Sequence, residues 1–229
     1  MKTTLVILVF LLFAVSSYAG TIIDDLSDGD MGEWHLASTG AGGDWKVEGG
    51  IAILEGAGGL SGIMFVLDRP DWKDYTVQVD MKITQHVVTA LWEQSGLGLR
   101  FIKGKSGYYF SFGTPGVNAK KLRTYFTDFI LMQNRNLLET PFDWQIDTWY
   151  TLKAEIKGNS FKYYVDDVLM MEYTNANGPN GGTGFGVTAA TDAHFDNFSV
   201  TGDDVPDAVF SVDPEGKIAV VWGEIKSEI

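Results

Sequence analysis

The chain carries 30 Asp and Glu residues against 17 Lys and Arg, so carboxylates are its commonest reactive groups. Two carboxyl groups ~5 Å apart flank a glycosidic bond in retaining hydrolysis, and a wider separation admits the water used for inversion. On a strand, residues i and i+2 share a face about 7 Å apart, so acids at that spacing can converge. The pairs with this spacing are Asp28/Asp30, in a Gly-containing N-terminal loop, and Asp213/Glu215, in a turn of the tail. Asp44 and Glu48 share a face at i,i+4, too far apart to embrace one bond. Asp80, on the polar face of a strand, and Glu93, beside Trp92, are the candidates for convergence from different strands. Isolated acids on wet faces are commonly just solvated, so catalysis and plain surface charge both stay open, with the balance against an enzyme.

Other chemistries find less support. There is no G-x-S-x-G around a serine, and His86 and His194 have no matching nucleophile. No H-E-x-x-H occurs among the 3 His. The absence of Cys removes disulfides, thiolate metal sites and thiol nucleophiles together. A formal charge of −13 repels a phosphate backbone, which excludes nucleic acid as a partner.

A second set of residues suits noncovalent recognition. Sugar binding needs flat apolar rings against the C–H face of a pyranose and planar polar groups for its hydroxyls. Arg100 alternates with Leu99 and Phe101, Tyr109 with Tyr108 and Phe110, and Arg123 and Tyr125 with Leu122, Thr124 and Phe126. This places Arg100, Tyr109, Arg123 and Tyr125 on what should be the wetter face of neighbouring strands. Trp92, in the loop Leu91 to Gln94, is positioned to close one end of a groove. Each also has a structural alternative: a cross-strand partner, an outer-sheet aromatic or a loop anchor.

The elements that must hold these residues are strands. Residues 74–83 place Tyr75, Val77, Val79, Met81 and Ile83 on one face and Thr76, Gln78, Asp80 and Lys82 on the other, and residues 149–157 repeat the design. One wet face per strand argues for antiparallel sheets. Val165-Asp-Asp-Val168 brackets a two-residue turn, making 161–174 a hairpin. Segments 87–94 and 134–138 read as loops. Ten or more short strands separated by Gly-rich turns predict an all-β, two-sheet antiparallel sandwich of jelly-roll type.

The ends of the chain read differently. Lys2, the uncharged apolar run Leu5 to Val15, and Ser17-Tyr-Ala19 before Gly20 predict a secretory signal peptide over 1–19. The apolar run falls short of the ~20 residues that span a bilayer, so no membrane span is expected after cleavage, and the product is secreted or periplasmic. The domain proper is expected over 20–202, with 203–229 a linker and short tail that either packs on the sandwich or is recognised elsewhere.

The motifs Gly43-Asp-Trp-Lys-Val-Glu-Gly-Gly50, Asp74-Tyr-Thr-Val-Gln-Val-Asp80, Gly98-Leu-Arg-Phe101, Asp147-Thr-Trp-Tyr-Thr-Leu-Lys153, Gly184-Phe-Gly-Val187 and Phe195-Asp-Asn-Phe-Ser-Val200 occur in an order similar to that of the concanavalin A-like lectin/glucanase superfamily. The resemblance extends to its secreted bacterial 3-keto-disaccharide hydrolase and family 16 glycoside-hydrolase-like domains, and covers residues 22–202. It implies a curved jelly roll whose concave sheet faces a glycan. The acidic strand of family 16 hydrolases, Glu-x-Asp-x-x-Glu or Glu-x-Asp-x-Glu, is missing here. Superfamily members often tie the N-terminal segment to the last strand with a structural calcium, which by analogy would use Asp25, Gly49 and Asp196; calcium takes hard oxygen ligands, carbonyls included. Three functions follow as expectations: carbohydrate binding to a polysaccharide or glycoconjugate first, then a glycoside or keto-glycoside hydrolase, then a structural or adhesion domain. Oligomeric state is not legible.

Overall fold

The computed structural model describes residues 19–39, 43–56, 62–86, 93–102, 106–114, 120–128, 133–174, 180–188 and 191–210. The elements among them are all strands: β1 Gly20–Asp24, β2 His35–Thr39, β3 Gly43–Glu48, β4 Ile51–Gly56, β5 Gly62–Leu67, β6 Tyr75–His86, β7 Glu93–Ile102 and β8 Ser106–Thr114. They continue as β9 Lys121–Asp128, β10 Gln133–Pro141, β11 Tyr150–Lys157, β12 Ser160–Val165, β13 Val168–Thr174, β14 Gly182–Thr188, β15 Thr191–Gly202 and β16 Ala208–Val209.

The strands form two sheets. The larger, of 9 strands, runs β13-β12-β11-β6-β15-β1-β16, with β4 also on β15 and β3 on β4; the smaller, of 7, runs β10-β9-β8-β7-β14-β5-β2. Neighbours are antiparallel except β1 and β16. The expected all-β sandwich is the observed fold.

Its core follows from period-2 patterning. The apolar face of β6 (Tyr75, Val77, Val79, Met81, Ile83) and that of β11 (Leu152, Ala154, Ile156) are buried against Leu97, Leu99, Phe110, Phe112 and Phe185 of the smaller sheet. Each large apolar side chain so buried contributes roughly 1.5–3 kcal/mol. Aromatic edges lock the layers: Phe185 lies 4.9 Å from Trp34 and 4.7 Å from Phe195, and Phe110 lies 4.9 Å from Tyr163. Val165 pairs with Val168, and Asp166 and Asp167 both have positive φ (48° and 62°), the geometry of a tight type I′ hairpin turn.

Several strands were not legible, β1, β2, β5 and β10 among them. β10 covers the segment read as a loop at 134–138, because a bulge between Asn136 and Leu138 breaks its alternation and leaves Leu137 and Leu138 both half-buried. β5 reads Ile-Met-Phe-Val-Leu without alternation because both its faces are covered: Phe65 and Leu67 join the main core, while Met64 and Val66 join a second cluster on the sheet's other side. The segment after Gly202 packs on the sandwich as far as Phe210, with β16 beside β1 and Phe210 N donating to Ile23 O at 3.0 Å.

Candidate functional site

On the side of the smaller sheet turned away from the core, Met64, Val66, Phe101, Tyr109 and Tyr125 form a compact apolar cluster. Tyr109 and Tyr125 stack almost parallel, centroids 4.9 Å apart at 3°. Burial pushes both phenols above the ordinary tyrosine range. Next to this stack, β9 and β10 build a polar network. Arg123 Nη2 donates to Asn136 Oδ1 at 2.6 Å, and its Nε lies 3.0 Å from Glu139 Oε1. Lys121 Nζ donates to Glu139 Oε2 at 2.9 Å, and Asn136 Nδ2 to Glu139 Oε1 at 3.2 Å. Register explains the convergence: Glu139 stands opposite Arg123, and Asn136 opposite Tyr125. The Lys121 hydrogen bond, with Arg123 behind it, holds Glu139 below the usual carboxylate range.

Arg100, Tyr109, Arg123 and Tyr125 were expected on a wetter face, and the structure corrects this: all are buried, with Arg100 3% and Arg123 2% exposed. Arg100 departs furthest. A bulge after Leu99 adds a residue to β7, Arg100 takes φ +46°, and its side chain turns off the sheet face. Its Nη2 donates to Lys73 O (2.8 Å) and Gly158 O (2.6 Å), its Nε to Lys73 O (3.2 Å), and it lies over the Phe161 ring. These bonds to the larger sheet and its loops make Arg100 a clamp between layers. The structure thus groups Tyr109, Arg123 and Tyr125 and sets Arg100 apart. Trp92 lies outside the described residues.

The carboxylate candidates are not brought together. Asp80 sits on the outer face of the larger sheet, accepting from Thr151 Oγ1 (2.5 Å) and Asn197 Nδ2 (2.9 Å). Glu93 begins β7 in the smaller sheet. Asp196 stands directly across from Asp80 on β15.

That pair marks a junction. β15 pairs with β4 up to Phe195–Ala52 and with β1 from Phe198–Asp24, so Asp196 and Asn197 span the gap where one partner strand ends and the other begins. A bulge occupies the gap, with Asn197 at φ +51°. The β3–β4 turn reaches the same place: a side chain on Gly50 would approach the Asp25 carbonyl to 3.4 Å, while Gly49, at φ +61°, faces open space. Partial burial raises the Asp196 carboxyl above the usual range, and the charges of Asp80 and Asp25 push the same way. Asp25, the 49–50 turn and Asp196 are therefore neighbours. A separate acidic group, Asp28, Asp30 and Glu33, has ligand atoms within 4.8 Å of one another in the β1–β2 loop.

A model of the galactocerebrosidase C-terminal lectin domain matches residues 60–203. The chain belongs to this lectin-domain family. Comparison with curated proteins finds no match. Among solved structures, the carbohydrate binding module CBM66 from Bacillus subtilis superposes with a TM-score of 0.55 at 20% identity, covering 73% of this chain and 94% of the module. The Emp47p carbohydrate recognition domain gives 0.60 at 13% identity, with coverage of 82% and 96%. The Bacillus licheniformis beta-glucanase gives 0.59 at 13% identity, with coverage of 80% and 98%. These neighbours establish the concanavalin A-like jelly roll.

The lectin-domain match runs from just before β5 to the end of β15. It contains the whole Arg123 network and the Arg100 clamp. Asp25 and the 49–50 turn lie ahead of it, after β1 and between β3 and β4. Within the lectin domain, sequence reading missed Asn136 and Glu139, because the β10 bulge hid the strand that carries them. Ahead of the match, the buried Asp24 is a turn former, as Asp24-Asp25 at the opening of the domain suggests: it accepts from Leu26 N (2.8 Å), an Asx turn, and from Trp34 Nε1 (2.6 Å).

Proposed function

We propose that the chain is an exported carbohydrate-binding domain that holds a polysaccharide or glycoconjugate noncovalently on the outer side of its smaller sheet, around Arg123, Asn136 and Glu139. The observation that carries this reading is the Lys121–Glu139–Arg123–Asn136 network. It presents the exposed Asn136 amide and Glu139 carboxylate beside the half-buried Lys121 ammonium, held in fixed geometry by the buried Arg123 guanidinium beneath them, and these groups are the complements of sugar hydroxyls. Tyr109 and Tyr125 back the network with stacked rings, and Trp92 is the proposed further ring. Membership of a lectin-domain family and the names of the fold neighbours support the same ligand class. The N-terminal pattern ending at Ala19 supports export to a secreted or periplasmic location.

A glycan array tests the assignment. Wild-type protein is expected to bind a defined subset of glycans, and Asn136→Ala and Glu139→Gln, the latter keeping an acceptor for the buried Arg123, to lose that binding while keeping their melting temperature within a few degrees. Undiminished binding by both variants would overturn it.

We also propose a structural calcium at the β15 junction. The donor set suits a hard cation: Asp196 stands opposite Asp80 on the adjacent strand, like charges that cost stability without a counterion, and the Asp25 carbonyl lies beside the 49–50 turn. The Asp196 carboxylate and carbonyls of Asp25 and the 49–50 turn would hold the ion, which would fasten the N-terminal strand to β15.

A further inference from the structure

A cleft of about 460 Å³ lies at one end of the sandwich, away from the Arg123 network, between the turn joining β5 to β6 and the segment joining β15 to β16. Its volume falls within the ~300–1,000 Å³ typical of small-ligand sites. Trp72 and Val205, 3% and 5% exposed, are its apolar members, and Pro70 and Pro206 line it as well. Arg69, Asp71, Asp203 and Asp204 supply the charge.

The cleft is preformed. Trp72 N donates to Arg69 O (3.3 Å) and Val205 N to Gly202 O (3.1 Å), closing both turns, while Gly181 N donates to Trp72 O (3.0 Å) and fixes the Trp72 backbone to the neighbouring loop. Two prolines remove backbone freedom from its walls. Little ordering entropy would be lost on binding.

Its charged groups are also uncommitted. Elsewhere the loop aspartates are used locally: Asp24, Asp25, Asp28, Asp30 and Asp207 each accept a hydrogen bond from a backbone amide. Among the described residues, Asp71, Asp203 and Asp204 enter no side-chain hydrogen bond or ion pair, and Arg69 donates only to the adjacent Asp68 carbonyl. A carboxylate-rich rim above an apolar floor is complementary to a ring with a C–H face, hydroxyls and a positive charge.

We propose that this cleft is a second saccharide site that takes an amino sugar, with its protonated amine against Asp203 and Asp204, its ring against the exposed Pro70 and Pro206 over the buried Trp72 and Val205, and a hydroxyl against Arg69. The inference rests on the carbohydrate-binding reading but uses none of the residues of the Arg123 network.

Titration calorimetry with glucosamine oligomers and their N-acetylated counterparts tests it. The wild type should bind the glucosamine oligomer and at least tenfold less of the acetylated one, with affinity falling as salt rises and as pH passes above the amine's own pKa. Asp203→Asn with Asp204→Asn should weaken glucosamine binding at least tenfold and leave the melting temperature and glycan-array profile unchanged, whereas Glu139→Gln should leave glucosamine binding intact. No glucosamine binding, equal binding of both oligomers, or unaltered binding by the double variant would each overturn the cleft assignment. Loss of glucosamine binding in Glu139→Gln would move the amino sugar to the other site. An array profile abolished by Glu139→Gln would preserve the lectin reading in every one of these cases.

Discussion

The backbone N–H of Arg100 donates to the hydroxyl of Tyr75 at 2.7 Å, and that hydroxyl in turn donates to Gly182 O at 3.1 Å. Tyr75 opens β6 in the larger sheet, while Arg100 and Gly182 belong to β7 and β14 in the smaller one. A single phenol thus carries a hydrogen-bond relay across the sandwich at the point where β7 bulges.

Breaking the relay should cost stability rather than binding. Tyr75→Phe leaves the Arg100 amide without its buried acceptor, at about 1–3 kcal/mol. Arg100→Ala strands the Lys73 and Gly158 carbonyls and removes a buried side chain, at roughly 2–4 kcal/mol. Urea unfolding reads both losses, and unchanged midpoints would refute the clamp.

Calcium should raise the melting temperature of the wild type, and a chelator should reverse the rise. At a hundredfold excess over Kd the gain is about 2.7 kcal/mol. Asp196→Asn should abolish the response; a wild type indifferent to chelator removes the ion from the account.

Asp24 predicts an acid-range pH dependence. Burial raises its carboxyl above 3.8, the value of an unperturbed aspartate, despite the Trp34 and Leu26 hydrogen bonds. A carboxyl raised by folding favours the protonated native state, so its contribution to stability is fully present below pH 3.8 and declines as pH rises through the folded value. Asp24→Asn should remove this component, making the stability difference between variant and wild type depend on pH across that window. Denaturant titrations from pH 3 to 7, about the span of carboxylate ionisation, measure it, and a constant difference would contradict the assignment.

Gly107 makes room for an aromatic ring. A Cβ there would lie 2.2 Å from the Phe101 ring, so Gly107→Ala should destabilise by roughly 1–3 kcal/mol. Phe101→Leu in the same chain should recover part of the loss, a coupling that a double-mutant cycle detects. Strict additivity would show that the two positions do not compete for space.

The fold was legible where each strand had one wet face. β6, β11 and the Val165–Val168 hairpin wrote their geometry in alternation and in two turn aspartates. It was illegible where tertiary contacts replaced that rule, as at β5, covered on both sides, and at β10, shifted by its bulge. The candidate site divided along the same line. Arg123, Tyr109 and Tyr125 fell on one face as alternation required, although nothing local revealed that this face would be covered. Arg100 obeyed alternation in the sequence and broke it in space, because one extra residue in β7 turned it toward the other sheet. Asn136 and Glu139 acquire meaning only through register with β9, which is a long-range property of the chain.

The β1–β16 pairing has a mechanical corollary. The two strands are parallel, and Thr21 N also donates to Asp207 Oδ1 at 2.9 Å. Force applied between Gly20 and Phe210 therefore runs along both strands in opposite senses, so their contacts share the load in shear instead of parting one by one as in a zipper. The β1–β16 seam is thus arranged to resist extension along its own axis.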